Sequence, residues 1–462
     1  MAAGGRLLAV RRLGSAVARA SRAGTLLVSA ALATLQPTPA GAVTYYVRQT
    51  VGDDANDGLT PATAWKHFSH LSLPMNAGDT AFVGPGLYRE QVTVEHDGTP
   101  DARITFIADT TGQQTGDPPG VVMVTGAEPV DETIFAPAGP PGVYAGPFPA
   151  WKVWGVVEMD GSQRRYESVL ITKEYLVDKM APVDVVAQQP SSWYYDDLTH
   201  LLTLHTSDGR PPVEHELELI QRGDGILVRG HHFVNVIGFT FRHMQDAGVS
   251  FFIGSGDGAV VDVTSYGSRQ GVRVYGATNV LVYHNTLFRN ENCGVYFAAK
   301  STRGAAIGNS TYENIKGIRW SSESGDGTAV DNAVFDNLER GISLENVDGA
   351  VLRRNRLVDN AVSQLLVLQS HYTSDDNCLA NGNDGQLIAD FRPFGLLDAY
   401  PTLAAYQKAT GQDLHSRSAP CGPLPAKVDV HALHAAALAY PAQPTTDVAA
   451  TVRGWLGWIF RR

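Results

Sequence analysis

Six side chains in the second half of the 462-residue chain recur at spacings that would bring them together: Arg273, Tyr296, Lys300, Arg319, Glu323 and Glu345. Arg273, Tyr296 and Arg319 follow one another at intervals of 23 residues, and so do Lys300 and Glu323. Removal of a proton α to a carboxylate needs a cation to neutralise that carboxylate and a base to take the proton. Arg319 or Arg273 suits the first role, Lys300 or Tyr296 the second. Glu323 and Glu345 offer a different chemistry, acid–base hydrolysis by two carboxylates. Lying one interval apart and two residues across, they are expected about 8 Å from each other, inside the window of roughly 6.5–9.5 Å for inversion. The plain alternative is that Lys300 and Glu323 form an ion pair between neighbouring repeats, as Arg303 and Asp326 could.

These side chains are positioned by a repeat. Gly225, Gly248, Gly271, Gly294, Gly317 and Gly341 fall at spacings of 23, 23, 23, 23 and 24 residues, and Gln364 continues the series. An alternating run follows each glycine ("GVRVYG", "GVYFAA", "GIRWSS", "GISLEN"). Counted from the glycine, positions +1 and +3 are apolar, so +2 and +4 point outward. Position +2 supplies Arg273, Tyr296, Arg319 and Ser343; position +4 supplies Arg229, Phe252, Tyr275, Ser321 and Glu345; position +6 supplies His231, Lys300 and Glu323. Asn285, Asn309, Asn332 and Asn355 recur with the same period, as do Asn290, Asn314, Asn337 and Asn360. Between them Phe288, Tyr312, Phe335 and Leu357 make an apolar column, expected to fill the interior with Val, Ile and Trp320. Short β runs, stacked asparagines and no helical period predict an all-β right-handed parallel β-helix. Leucine-rich repeats need a leucine frame that is absent here, and propeller blades need about 40 residues. Seven coils would stack to roughly 34 Å.

The ends read differently. Residues 1–42 carry Arg6, Arg11, Arg12, Arg19 and Arg22, then "AGTLLVSAALATL" and a small-residue "TPAGA", the pattern of a secretory signal. The apolar run is about a dozen residues, short of the roughly 20 that span a bilayer, and no other segment, the terminal "GWLGWIFRR" included, is long enough. Cleavage would remove five arginines and take the formal net charge from −11 to about −16, which argues against a nucleic-acid partner. An extracellular or periplasmic monomer is expected. Of three cysteines, Cys378 and Cys421 are the expected disulfide, with Cys293 a buried small apolar residue. Residues 43–128 read as an N-terminal cap and first coils, 129–222 as a β-rich insertion, 223–385 as the regular coils and 386–462 as a loop and helix tail capping the stack.

The stretch "YYVRQTVGDDANDGLTPATAW" places Asp53, Asp54, Asn56 and Asp57 before Gly58. A calcium loop of the EF-hand type fails, because positions 3 and 12 are Ala55 and Ala64. An Asx-rich turn and a short amphipathic helix starting at Thr60 and Pro61 are expected instead. Together with "AGDTAFVGPGLYRE" and the later "TLAAYQKATGQDLHS", this stretch resembles secreted right-handed parallel β-helix proteins of the pectate-lyase-like superfamily. The resemblance implies that the strand after each glycine lines a polysaccharide groove, with Arg229, Phe252, Tyr275 and His231 as substrate-binding residues. The resemblance bears on fold more than on chemistry; the expected activity is that of a lyase acting on an acidic glycan, with a glycoside hydrolase or a non-catalytic carbohydrate-binding protein as the alternative. Hydrolases of this superfamily carry paired acids just before these strands, where the chain reads "QDAG", "NENC" and "NLER", with Asp246 or Glu339 in reach. Calcium-dependent lyases carry an aspartate cluster that these coils lack, so no calcium or other cofactor is assigned.

Overall fold

A computed structural model describes residues 41–148, 153–165, 167–168, 182–382, 386–391 and 397–438. Residues 1–40 of the proposed leader and the terminal "GWLGWIFRR" lie outside these residues. Three sheets run the length of the stack. Sheet A has ten strands, from Thr44–Val47 to Tyr372–Asp375, and sheet B nine, from Gly86–Tyr88 to Cys378–Ala380. Sheet C also has ten, from Val92–Val94 through Ala247–Phe252, Gln270–Tyr275, Cys293–Ala298, Lys316–Ser321 and Arg340–Glu345. Neighbouring strands pair in parallel and in register, for example Val272 with Val295 and Val295 with Ile318, except at the end of sheet C, where Ile388–Phe391 and Leu397–Tyr400 pair antiparallel. No helix among the described residues is long and apolar enough to cross a membrane.

The marker glycines are dictated by space rather than by backbone angle. A Cβ built on Gly294 would lie 2.8 Å from the Gly317 carbonyl oxygen and 3.0 Å from Thr311 Cγ2, inside the cylinder. Real Cβ atoms do not approach a carbonyl that closely, so Gly294→Ala is expected to cost about 1–2 kcal/mol by overpacking, read from denaturant midpoints. Unchanged stability would show that the neighbouring coil yields freely. At the seventh coil the glycine is replaced by Gln364, whose side chain turns inward and closes an amide ladder. Asn290, Asn314, Asn337 and Asn360 pass hydrogen bonds of 2.8–3.0 Å from coil to coil, and Asn360 Nδ2 donates to Gln364 Oε1 at 2.6 Å. The second ladder, Asn285 to Asn377, ends on Asp413 Oδ1 at 2.9 Å. Each rung satisfies a polar group that burial would otherwise penalise.

The aromatic column lies elsewhere than expected. Tyr266, Phe288, Tyr312 and Phe335 stack at centroid distances of 4.9–5.1 Å on the outer face of sheet B. They pack with Cys421 and Val430 of the tail in a cluster separate from the main core. Val358, not Leu357, continues the column, because Phe335 registers with Val358 while Leu357 faces the interior opposite Val334. The alternation of only three residues per strand leaves the inward parity undecided in the sequence. The disulfide forms between Cys378 and Cys421, across 43 residues, and fastens the tail to the last coil of sheet B.

The N-terminal turn is a hydrogen-bonded structure. Asp53 accepts from Ala55 N, Asp57 from Leu59 N and Thr63 Oγ1, and Asp54 from the amides of Lys66 and His67. The cap is two 3₁₀ turns, Pro61–Thr63 and Phe68–Ser72, in place of one amphipathic helix; Phe68 and Leu71 seal the end of the core. Between Ala127–Pro129 and Leu217–Ile220 the chain leaves the stack and builds a three-stranded antiparallel sheet and a five-stranded sheet that is antiparallel except for the parallel pair Glu167–Ser168 with Ser192–Asp196. It re-enters at Ile226–Arg229, which pairs directly with Val92–Val94.

Candidate functional site

Most of the candidate residues lie on the outer face of sheet C. Val272, Val274, Val295, Phe297, Ile318, Trp320, Ile342 and Leu344 are buried in the core, so positions +2 and +4 do face outward. The glycine tucks its Cα–H inward, next to an inward +1 residue, and this breaks the alternation. The residue before each glycine therefore also points out, adding Asp224, Gln270, Cys293, Lys316 and Arg340. Sequence reasoning missed this column by counting alternation only forward from the glycine.

At the N-terminal half of the face, Arg229, Phe252 and Tyr275 register side by side on adjacent strands. The Phe252 and Tyr275 rings stack at 5.2 Å and 17°. The guanidinium groups of Arg229 and Arg273 lie over Phe252 at 4.9 and 4.8 Å. Arg273 also joins two carboxylates: its Nη2 is 3.0 Å from Asp224 Oδ2 and its Nη1 3.2 Å from Asp246 Oδ1. Ser250 Oγ receives a hydrogen bond from Arg273 Nε at 2.9 Å and itself bonds to Asp224. Burial pushes the Asp224 carboxyl up to about 6, against the pull of Arg273.

The second half is more fully neutralised. Arg319 Nε contacts Glu345 Oε1 at 3.0 Å, with a second contact from Nη2 to Oε2. Lys316 Nζ lies 3.8 Å from Glu345 and 3.9 Å from Glu339. Tyr296 sits beneath the Arg319 guanidinium at 5.1 Å and its hydroxyl meets Ser321 Oγ at 3.1 Å. Cys293 is buried, and burial pushes its thiol up to about 12, so it has no nucleophilic character at neutral pH. Lys300 and Glu323 stand apart from the strand face, in left-handed turns with φ of 64° and 61°. They contact each other at 3.2 Å, with side chains 74% and 63% exposed. Arg303 donates to Thr278 Oγ1 at 3.2 Å. His231, also in a turn, lies 3.5 Å from Asp97. The structure thus gathers Arg229, Phe252, Tyr275 and Arg273 at one place, and Tyr296, Arg319 and Glu345 at another. Lys300, Glu323 and His231 remain on the rim.

Residues 224–380 match the family model of the right-handed β-helix region. The chain folds as a right-handed parallel β-helix. No curated protein matches it. Among solved structures, the β-helix is similar to XylC in complex with xylose, with 17% identity, TM-score 0.56, and coverage of 73% of this chain and 66% of that one. Pectate lyase Pel9A shows 12% identity and a TM-score of 0.48, over 90% of this chain and 84% of that chain. The GH136 lacto-N-biosidase from Eubacterium ramulus shows 11% identity and a TM-score of 0.45, over 75% and 61%. The chain spans 66% and 61% of the first two of these matches, XylC and the lacto-N-biosidase.

Two groups among the described residues bring three carboxylate or imidazole ligands together, and both lie off sheet C: Glu158, Asp160 and His215 in the insertion, and Asp375, Asp376 and His415 near the tail. In each the imidazole is already engaged. His215 lies 3.2 Å from both Asp160 and Asp208, and His415 Nδ1 is 2.7 Å from Asp375.

Proposed function

We propose that the outer face of sheet C seats a polysaccharide chain and cleaves it. The observation that carries this reading is the half-buried, mutually stacked Phe252–Tyr275 pair flanked by Arg229, Arg273 and two carboxylates. Aromatic faces hold the apolar face of a sugar ring, and fixed polar groups beside them orient it. The cations bear on the substrate. Arg273 is matched by Asp224 and Asp246, and Arg319 by Glu345, so an acidic glycan would have to displace a carboxylate from either of these two, while Arg229 rests on the Phe252 ring. This charge balance favours hydrolysis of a neutral glycan. Elimination is the second reading, supported by Tyr296 lying under Arg319; it would use Arg319 to neutralise a uronate and Tyr296 as base. Export from the cell, as the arginine-rich leader implies, would place the protein with such substrates.

Incubation with a panel of neutral and acidic polysaccharides, followed for reducing ends and for the absorbance of unsaturated ends, tests both. Reducing ends without unsaturation support hydrolysis. Unsaturated ends that disappear in Arg319→Ala support elimination. Neither signal on any polymer overturns cleavage.

A further inference from the structure

The outer face of sheet A carries an apolar column that the glycan reading does not use. Tyr46, Phe82 and Ile107 register with one another on successive strands, and the column runs on through Ile237, Tyr283 and Ile307 to end at Val330. Every residue in it is aromatic or β-branched and partly exposed. Their neighbours of opposite parity, Phe106, Val236 and Val260, are buried in the core, so the column points out. It belongs to none of the buried apolar clusters among the described residues. A sheet face meant only for water carries polar side chains at such places. Two residues earlier on each strand runs a second outward column, with Thr80, Thr105, Ala259, Ala305 and Thr328, small except at Asn235 and Leu281. The rim is charged and of mixed sign: Arg103 and Arg303 precede the strands, Asp262 and Asp331 follow them, and Arg353 and Asp375 close the C-terminal end. An apolar centre inside a mixed polar rim is the anatomy of a protein contact. A lipid surface would call for an excess of Lys and Arg around the apolar face.

We propose that sheet A is the contact between two copies of this chain, packed face to face with their stacks parallel. The pairing of a large column with a small one decides the occupant and the arrangement. A half-turn about an axis parallel to the stack, lying between the two faces, sets the large column of one copy over the small column of the other. Both copies have the same coil spacing, so the match holds from Tyr46 to Val330 without slipping. A half-turn about an axis across the stack would set large on large and leave the small columns apart. The self-complementary patch of a two-fold dimer therefore exists on a single chain. Ten strands at about 4.8 Å and three or four residues at about 3.3 Å give a face of roughly 500 Å² per copy. Two such faces bury about 1,000 Å², the lower bound for a specific interface, so a reversible dimer is expected with a Kd on the order of 10 µM. Sheet C is a separate face of the stack and stays open in this dimer.

Analytical ultracentrifugation of the full chain from about 1 to about 100 µM tests this, with Ile237→Arg, Ile307→Arg and Thr328→Trp variants alongside. The wild type is expected to pass from monomer to dimer across that range. Each arginine variant is expected to raise Kd at least about 30-fold, because it buries an unpaired charge at the centre of the contact. Thr328→Trp fills the small column where the other copy's Val330 must sit, and is expected to weaken the dimer about as much. All three side chains point away from the core, and unchanged circular dichroism checks that the fold is kept. A wild type that stays monomeric at every concentration overturns the proposal, and this result needs no variant to fold. A dimer whose Kd stays within about threefold in both arginine variants overturns sheet A as the contact. Loss of the dimer in the arginine variants but not in Thr328→Trp overturns the packing of large on small.

Discussion

Glu218→Ala is expected to lower stability by about 3–5 kcal/mol, because it strands a fully buried arginine. Glu218 belongs to the insertion, yet its Oε1 receives Arg242 of sheet B at 3.0 Å and Arg89 at 2.7 Å. Arg242 in turn lies 3.1 Å from His434 Nδ1 in the C-terminal helix Val430–Leu438. Insertion, coil and tail thus meet at one charged junction without solvent. Burial opposes the Glu218 charge, but the nearby His243 imidazole and the charges of Arg242 and Arg89 outweigh it and hold the carboxyl well below its usual range. Burial pushes His243 down to about 4, and burial beside Arg242 also lowers His434. The groups facing His243 are Glu218, Arg242 and Tyr266; those facing His434 are Arg242, Glu216 and Glu218.

The same junction sets a pH dependence. A histidine held neutral in the fold titrates first in the unfolded chain, so stability falls as pH drops from about 6.5 toward 4, by up to about 3 kcal/mol for His243. Glu218 adds its own loss below about 4.5, where the unfolded carboxyl takes up a proton and the folded one does not. Denaturant titrations at pH 7, 5.5 and 4 check both statements. Flat stability across that range, or a Glu218→Ala cost under about 1 kcal/mol, would show that the junction is open to water.

Replacing Phe252 and Tyr275 together by Ala is expected to weaken glycan binding by about 2–3 kcal/mol, or roughly 30- to 150-fold. Each ring is only half-buried, which leaves part of it for a sugar, so the fold should be kept. Arg229 and Arg273 would lose their aromatic support as well, and that adds to the effect. Retention of the double variant within about threefold of wild type on the same polymer would remove the platform from the account.

The fold was legible because the period is carried by residues with one tolerable identity at each place. The glycines have no room for a Cβ, and the asparagines must each donate and accept along a ladder, so Gly271 or Asn314 announces its position in the coil. The site was only partly legible. Arg229, Phe252 and Tyr275 were found because strand alternation holds from +1 to +4. Asp224 and Lys316 were missed because the bend at the glycine puts the preceding residue on the same outer face. The signal was present, since a charged residue directly before Gly225 or Gly317 cannot point into an apolar cylinder. Lys300 and Glu323 were placed by extending the alternation to +6, past the end of the strand into left-handed turns. For Phe288 and Tyr312, strands of three residues gave no parity to read, and only the tail that covers them decides that they lie outside.

The central claim is that a glycan lies on the outer face of sheet C at Phe252, Tyr275 and the Asp224–Arg273–Asp246 cluster. The structure of the protein with an oligosaccharide bound, taken from a polymer it cleaves, tests this most directly. The account requires a sugar ring stacked on the Phe252–Tyr275 pair with a glycosidic oxygen next to Asp224 or Asp246. A chain seated on the insertion or on either of the other two sheets would contradict it.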